Sequence, residues 1–336
     1  MIGAFLRSRR QAARNDPHTV RLARPVASIG NISMGGRGKT PLTALVARLL
    51  VEAGEKPAIL SRGYGRAIAD AGVTVVSDGS AVLSDLAHSG DEPLMLARAV
   101  PGAAVVVCEQ RSLAGTLAES ALGCTVHILD DGFQHHQLHR DLDIVLVTAE
   151  DFSARVMPFG RLREPVESLQ DADAILSDGS GAIGQLGSGA IGQLGKGAIG
   201  QLGKGAIGFS GSLVRRLGTP SAPIASGSRV FAVAGIARPE RFFTSLTDAG
   251  YTVAGTMAFN DHHRFTAADV ERMSAEAARA GATVIVTTSK DAIRLEGFGP
   301  WAVPLVEVPL DVRVDPDEAF RAWLLRSLRD HQQSIR

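Results

Sequence analysis

The sequence predicts an α/β fold, a mainly parallel sheet flanked by helices and followed by a smaller α/β C-terminal lobe. Three observations carry that expectation. Short apolar runs alternate with segments of helical period along most of the chain, as they do when helices connect parallel strands. A glycine-rich turn separates the first apolar run from the first helical pattern. A length of 336 residues fits about two domains of roughly 150 residues each.

The elements follow in order. Residues 1–25 are a basic segment, an apolar tip followed by Arg7, Arg9, Arg10, Arg14, Arg21 and Arg24 against the single acid Asp16. A secretory signal places its basic residues before a longer apolar core, the reverse of this order. The residues allow either a small interfacial membrane anchor or a solvated basic tail. The first lobe is expected over 26–179. It opens with a strand at 26–29 and a helix whose Leu42, Leu45, Val46, Leu49 and Leu50 recur at i, i+3, i+4, i+7 and i+8. Gly54 stops that helix. Further strands are expected at 58–60, 104–107, 126–129, 144–147 and 174–176.

From Ser180 an octapeptide, first SGAIGQLG and later KGAIGQLG, occurs three times with a partial fourth copy. Two large apolar residues per unit, Ile and Leu, set among glycines, bury too little surface to offset chain entropy, so 180–211 reads as a flexible linker between two lobes. On that reading, deleting 181–204 leaves the fold intact. The second lobe is expected over 212–336, with a strand at 230–234 and an amphipathic helix at 317–328.

Charge narrows the function classes. Lys+Arg and Asp+Glu both number 35, so no global basic field is available for nucleic acid, and an anion would have to bind locally. Two cysteines without a CxxC pair offer neither a disulfide framework nor a zinc cage. No run of 18 apolar residues occurs. No protein partner is inferred.

The turn Ser33-Met34-Gly35-Gly36-Arg37-Gly38-Lys39-Thr40 lies between a strand and a helix. A nucleotide triphosphate needs converging backbone N–H groups, glycines for close approach, a lysine for the β/γ charge and a hydroxyl for Mg²⁺. All are present, which makes the lobe P-loop NTPase-like and points to ATP with Mg²⁺. Ser33 stands where the strict pattern has its first glycine. The chain holds five lysines against thirty arginines, so a lysine at this one position is itself a signal.

The 126–129 strand runs into Asp130, Asp131 and Gly132, and the carboxyl ends of parallel strands are where ligands bind. Mg²⁺ takes hard oxygen ligands, which makes Asp130 and Asp131 its natural suppliers. His135, His136 and His139 lack metal-site spacing and read as structural or solvent-facing. His262 stands apart, in a polar loop just before a helix capped by Thr266 and Asp269. By spacing alone Asp91 is an N-cap.

The ordered motifs SIGNISMGGRGKTP, SRGYGR, GDEP, LDDGFQHH, RLREP, VAGIARPERFF, the Asp-His-His segment and TTSKDAIRL resemble the tetraacyldisaccharide 4′-kinase family, over about 26–328. The resemblance implies transfer of the ATP γ-phosphate to the 4′-hydroxyl of an acylated glucosamine disaccharide 1-phosphate in lipid A biosynthesis. It also implies a peripheral place on the cytoplasmic face of the inner membrane of a Gram-negative bacterium. By motif, Lys39 and Thr40 hold phosphate and metal, and Asp91 pairs with His262 to activate the acceptor hydroxyl. Asp130, Asp131 and Glu164 belong to the metal and phosphate surroundings. Arg62, Arg161 and Arg163 are candidates for phosphate charge, and Lys290 and Asp291 for adenine. Three features depart from the family pattern: the octapeptide repeat, an N-terminal segment shorter and more basic than the hydrophobic start common in the family, and Ser289 where the family usually has Glu. A P-loop ATPase switch and a kinase of a soluble small molecule are the competing readings.

Overall fold

The computed structural model describes residues 19–35, 38–68, 72–178 and 208–334. The first lobe runs β1 (Val26–Asn31), α1 (Lys39–Glu52), β2 (Pro57–Ser61), β3 (Thr74–Asp78), α2 (Leu86–Ser89), α3 (Asp91–Ala99), β4 (Ala104–Val107), α4 (Arg111–Ser120), β5 (Val126–Asp130), β6 (Leu142–Val147), β7 (Ala174–Ser177) and β8 (Phe209–Leu217). Then come β9 (Arg229–Ala234), α5 (Pro239–Asp248), β10 (Thr252–Ala258), α6 (Ala267–Arg279), β11 (Val284–Thr287), α7 (Ser289–Arg294), β12 (Leu305–Glu307), β13 (Leu310–Asp315) and α8 (Asp317–Ser334).

Nine strands form one sheet in the order β13-β8-β7-β6-β1-β5-β2-β4-β3, and four form a second in the order β10-β9-β11-β12. The smaller sheet is parallel throughout. In the larger one only the edge strands β3 and β13 run antiparallel to their neighbours. β1, β5 and β6 are buried along their whole length, which is why they read as mainly apolar runs without strict alternation. α1 lays Leu42, Val46, Leu49 and Leu50 against this sheet.

The lobe boundary falls elsewhere than the sequence suggests. β8 pairs in parallel with β7, so a division at 212 would cut a strand of the first sheet. β13 pairs with β8, and Phe320, Leu324 and Leu328 of α8 pack in the same core as Leu42 and Leu50. The chain therefore leaves the first lobe after β8, builds the second sheet, and returns. The apolar face of α8 and the free edge of β8 are satisfied together by that return, a pairing that local periodicity cannot announce.

The same topology changes the meaning of the repeat, whose units lie outside the described residues. Its flanks, Ser177 and Phe209, belong to adjacent parallel strands, and the Gly208 N–H donates to the Asp173 carbonyl at the start of β7. The 31 residues 178–208 are thus a crossover within one sheet, and such crossovers need about a dozen residues or more. Removing 188–203 leaves fifteen residues and should preserve soluble, cooperatively melting protein. Removing 180–203 leaves seven and should not. Equal melting behaviour of the two deletions would refute this reading.

Candidate functional site

The glycine-rich turn sits where the burial of β1 delivers it, between the end of that strand and the first turn of α1. Gly38 is the N-cap of α1 with φ +88°, a conformation that favours glycine. Ser33 is fully buried, Met34 is half-exposed, and Gly36 and Arg37 lie outside the described residues. The Lys39 ammonium donates to Asn31 Oδ1 at 3.3 Å and lies 3.4 Å from Asp131 Oδ1.

The acidic strand end is adjacent. Asp130 is 6 % exposed and accepts from the Thr43 hydroxyl at 3.0 Å. Burial, with the nearby Glu92 and Asp131 carboxylates, pushes the Asp130 carboxyl up to about 7. Burial acts on Asp131 in the same direction, but Lys39 and Arg163 outweigh it and hold its pKa below the ordinary carboxylate value. Arg163 donates to Asp131 Oδ2 at 3.0 Å.

Asp91 does not cap α3. Gly90 is the N-cap, with φ +84°, and a Cβ there would stand 2.8 Å from the Tyr64 carbonyl oxygen. That close approach brings the SRGYGR turn against the start of α3, and Asp91 takes the first helical position. Asp91 Oδ2 lies 3.0 Å from His262 Nδ1, across 171 residues of sequence and between the two lobes. Asp91 is 5 % exposed. Burial would raise its carboxyl, but the His262 hydrogen bond, with Lys290 and Arg294, holds it below the usual range. The Asp91 hydrogen bond lifts the His262 imidazole above its ordinary value, against burial and Lys290.

Among the described residues, two non-glycines have positive φ: Asp131 at 52° and His262 at 59°. Backbone held there by its surroundings concentrates at functional sites, and both are residues that the sequence singled out. His262 precedes α6, whose Thr266–Asp269 capping box is as expected.

One cleft of about 1060 Å³ is lined by Gly38, Lys39, Thr40, Asp130 and Asp131 and also by His262. The phosphate loop and the imidazole therefore share a chamber. A strand-end acid pair, an ammonium at a helix start and an Asp-held imidazole facing one cavity are the parts of a phosphotransferase.

A family model described as tetraacyldisaccharide-1-P 4′-kinase (LpxK) matches residues 1–329. The chain belongs to that family. A tetraacyldisaccharide 4′-kinase of Syntrophus aciditrophicus is 37% identical over 327 residues, covering 93% of this chain and 86% of that one. Another, of Geobacter metallireducens, is 42% identical over 282 residues, covering 82% and 79%. A crystal structure of LpxK from Aquifex aeolicus in complex with ATP superposes with a TM-score of 0.73 at 27% identity, covering 97% of this chain and 96% of that one.

Against the family motifs, most of the expected residues come together and a few do not. Glu164 is buried with its backbone N–H on the Ile32 carbonyl, and it is not among the side chains that line the cleft. Arg161 donates to Glu150 and Asp151 instead of facing the cleft, whereas Arg62 and Arg163 line it. Lys290 lines the cleft and turns toward His262, whereas Asp291, fully buried, accepts from the Gly235 N–H and the Thr288 hydroxyl and does not line it.

His263 is held by Asp269, and His139 lies 3.4 Å from Asp141, as structural histidines. His135 instead lines the cleft, its pKa lowered to about 4 by burial and by Arg111, Arg140 and Arg62. Its spacing marks it only as structural or solvent-facing. Tyr64, whose ring meets that of His262 edge-on at 5.4 Å, and Glu92 were also missed, although both sit inside the family motifs.

Proposed function

We propose that the protein transfers the γ-phosphate of ATP to the 4′-hydroxyl of a tetraacylated glucosamine disaccharide 1-phosphate. The observation that carries this reading is the shared cleft, with Lys39 and His262 on its walls. The 4′-oxygen forms a bond to the γ-phosphorus while the bond from that phosphorus to the β,γ-bridging oxygen breaks. ADP leaves with the electron pair, and the hydroxyl proton passes to His262, which Asp91 orients. Lys39 and the main-chain amides of the turn hold the phosphates. Phosphoryl transfer asks chiefly for this positioning and charge neutralisation.

The donor set fits Mg²⁺. Thr40, Asp130 and Asp131 offer hard oxygens, and an Asp130 carboxyl pushed up to about 7 by burial and by neighbouring negative charge is one that a cation would ionise. Mg²⁺ held there would neutralise the phosphate oxygens. Chelation of divalent cations should abolish transfer, and Asp130→Asn should raise the Mg²⁺ concentration for half-maximal rate by about tenfold or more. An unchanged Mg²⁺ requirement in that variant would remove Asp130 from the metal site.

The acyl chains of the acceptor and the arginines of 1–25 support a peripheral site on the cytoplasmic face of the inner membrane. Among the described residues no helix is long and apolar enough to cross a bilayer. Salt-sensitive cosedimentation with anionic vesicles tests the association, and its absence at low salt counts against it.

The assay for the reaction supplies MgATP and the tetraacyl disaccharide 1-phosphate in detergent micelles. The expected product is heavier by one phosphoryl group. Folded, ATP-binding protein that leaves this acceptor unmodified would overturn the assignment.

A further inference from the structure

Lys290 occupies the first turn of α7 in the second lobe, and its side chain is 12 % exposed. Its ammonium donates to Glu92 Oε1 at 3.0 Å in the first lobe and to Asp261 Oδ1 at 3.2 Å in the second. It also stands 3.1 Å from His262 Nε2. A lysine ammonium has hydrogens to donate and no lone pair to accept with. At that distance Nε2 must present its own lone pair, which puts the proton of the neutral ring on Nδ1, facing Asp91 Oδ2. Hydrogen-bond partners thereby specify both ring nitrogens.

Resting on the kinase reading above, we propose that Lys290 is a positioning residue for His262: its ammonium keeps Nε2 bare, as the nitrogen that takes the acceptor proton, until the 4′-hydroxyl replaces it. The Glu92 and Asp261 carboxylates give the ammonium somewhere to remain when it moves off the ring, and a lysine stem is flexible enough for that movement. Because one of these anchors comes from each lobe, the arrangement of the lobes is coupled to the availability of the base.

The groups facing His262 make Lys290 the one whose removal is informative. From α3 come Asp91 and Glu92. Lys290 comes from α7, and so does Arg294, whose Nε is 3.3 Å from Asp91 Oδ2. Asp261, from the histidine's own loop, is 3.9 Å from Nε2, and the Tyr64 ring meets the imidazole edge-on. Burial opposes the charge on Lys290, but Glu92, Asp91 and Asp261 outweigh it and keep the pKa above the ordinary lysine value, so the group is a cation throughout the working range.

The first test needs no variant of Lys290. Nitrogen-15 NMR of the full chain with labelled histidine, assigned with His262→Asn, should find neutral His262 as the Nδ1–H tautomer. The Nε2–H tautomer would overturn the proposal. The second test is Lys290→Met, which should move the acid limb of kcat/KM upward by about one pH unit, because the ring protonates more readily without a neighbouring cation. The same variant should lower kcat by roughly tenfold or more while ATP affinity stays within about twofold. Lys290→Arg should return the limb toward its original position.

A Lys290→Met enzyme with the wild-type acid limb would show that Lys290 only braces the lobes. If that variant does not fold, the NMR result decides alone. Failure of the lipid acceptor assay would leave the tautomer measurement untouched, so the two readings fall separately.

Discussion

Lys39→Ala is expected to lower kcat by about 10²–10³, the usual cost of removing one preorganised charge from a transition state. The Lys39 side chain is 13 % exposed and its ammonium is held between Asn31 and Asp131, so it meets the phosphates already oriented and partly desolvated. Its loss frees Asp131, but Arg163 still pairs with that carboxylate, and the fold should melt within a few degrees of the parent. Single-turnover kinetics with saturating MgATP separate the effect from weaker nucleotide binding. A variant with near-parental kcat would mean that the loop amides alone carry the charge. Lys39→Arg should not restore the rate, because a planar guanidinium is larger than the ammonium that fits beneath the turn.

Replacing His262 should cost about 10²–10⁴ in kcat, the range for a lost general base. The choice of replacement matters because this residue has φ 59°. Alanine pays the left-handed backbone penalty of about 1–2 kcal/mol, whereas asparagine adopts that conformation more readily. If both variants lose the same rate while only His262→Ala loses stability, the rate loss belongs to the imidazole. His136→Ala, at a position that does not line the cleft, should change little, and an equal loss there would undo the histidine assignment.

The pH profile gives the sign. A base accepts a proton only when unprotonated, so activity falls as pH drops through the His262 pKa, which Asp91 holds above the ordinary imidazole value. Asp91→Asn removes the carboxylate and should shift that acid limb to lower pH while reducing kcat. An acid limb unmoved in Asp91→Asn would assign it to another group. The pair also links the lobes. His262 has a raised folded pKa, so its contribution to stability is fully present below the unfolded value and is lost as pH rises through the folded one. Asp91, with a depressed pKa, contributes above the ordinary carboxylate range and loses that contribution as pH falls.

The phosphate loop was legible because everything that makes it is contiguous: a buried strand, a permissive turn, a lysine and a helix start within fifteen residues. The strands at 104–107 and 230–234 were legible for a similar reason, since each is an apolar run bounded by turn residues, and the structure extends the second by one residue. Edge strands were not. β3 alternates only partly, and β13 has exposed and buried positions that suit an edge but do not name a partner. Arg161 shows the opposite case. Its motif is recognisable, yet its side chain is directed by Glu150 and Asp151, contacts that no spacing rule contains.

By itself the sequence determined a parallel α/β scaffold, a triphosphate cradle at its first strand–helix turn and an acid pair at the end of β5. Each depends on interactions among neighbours in the chain, where backbone conformation and side-chain period act directly. Only the tertiary structure decided that β8, β13 and α8 complete the first lobe, that the repeat is a crossover within one sheet, and that Lys290 reaches the ring of His262. Those outcomes depend on which distant surfaces satisfy an open strand edge, an apolar helix face or a buried charge, and that choice is made by the packed whole.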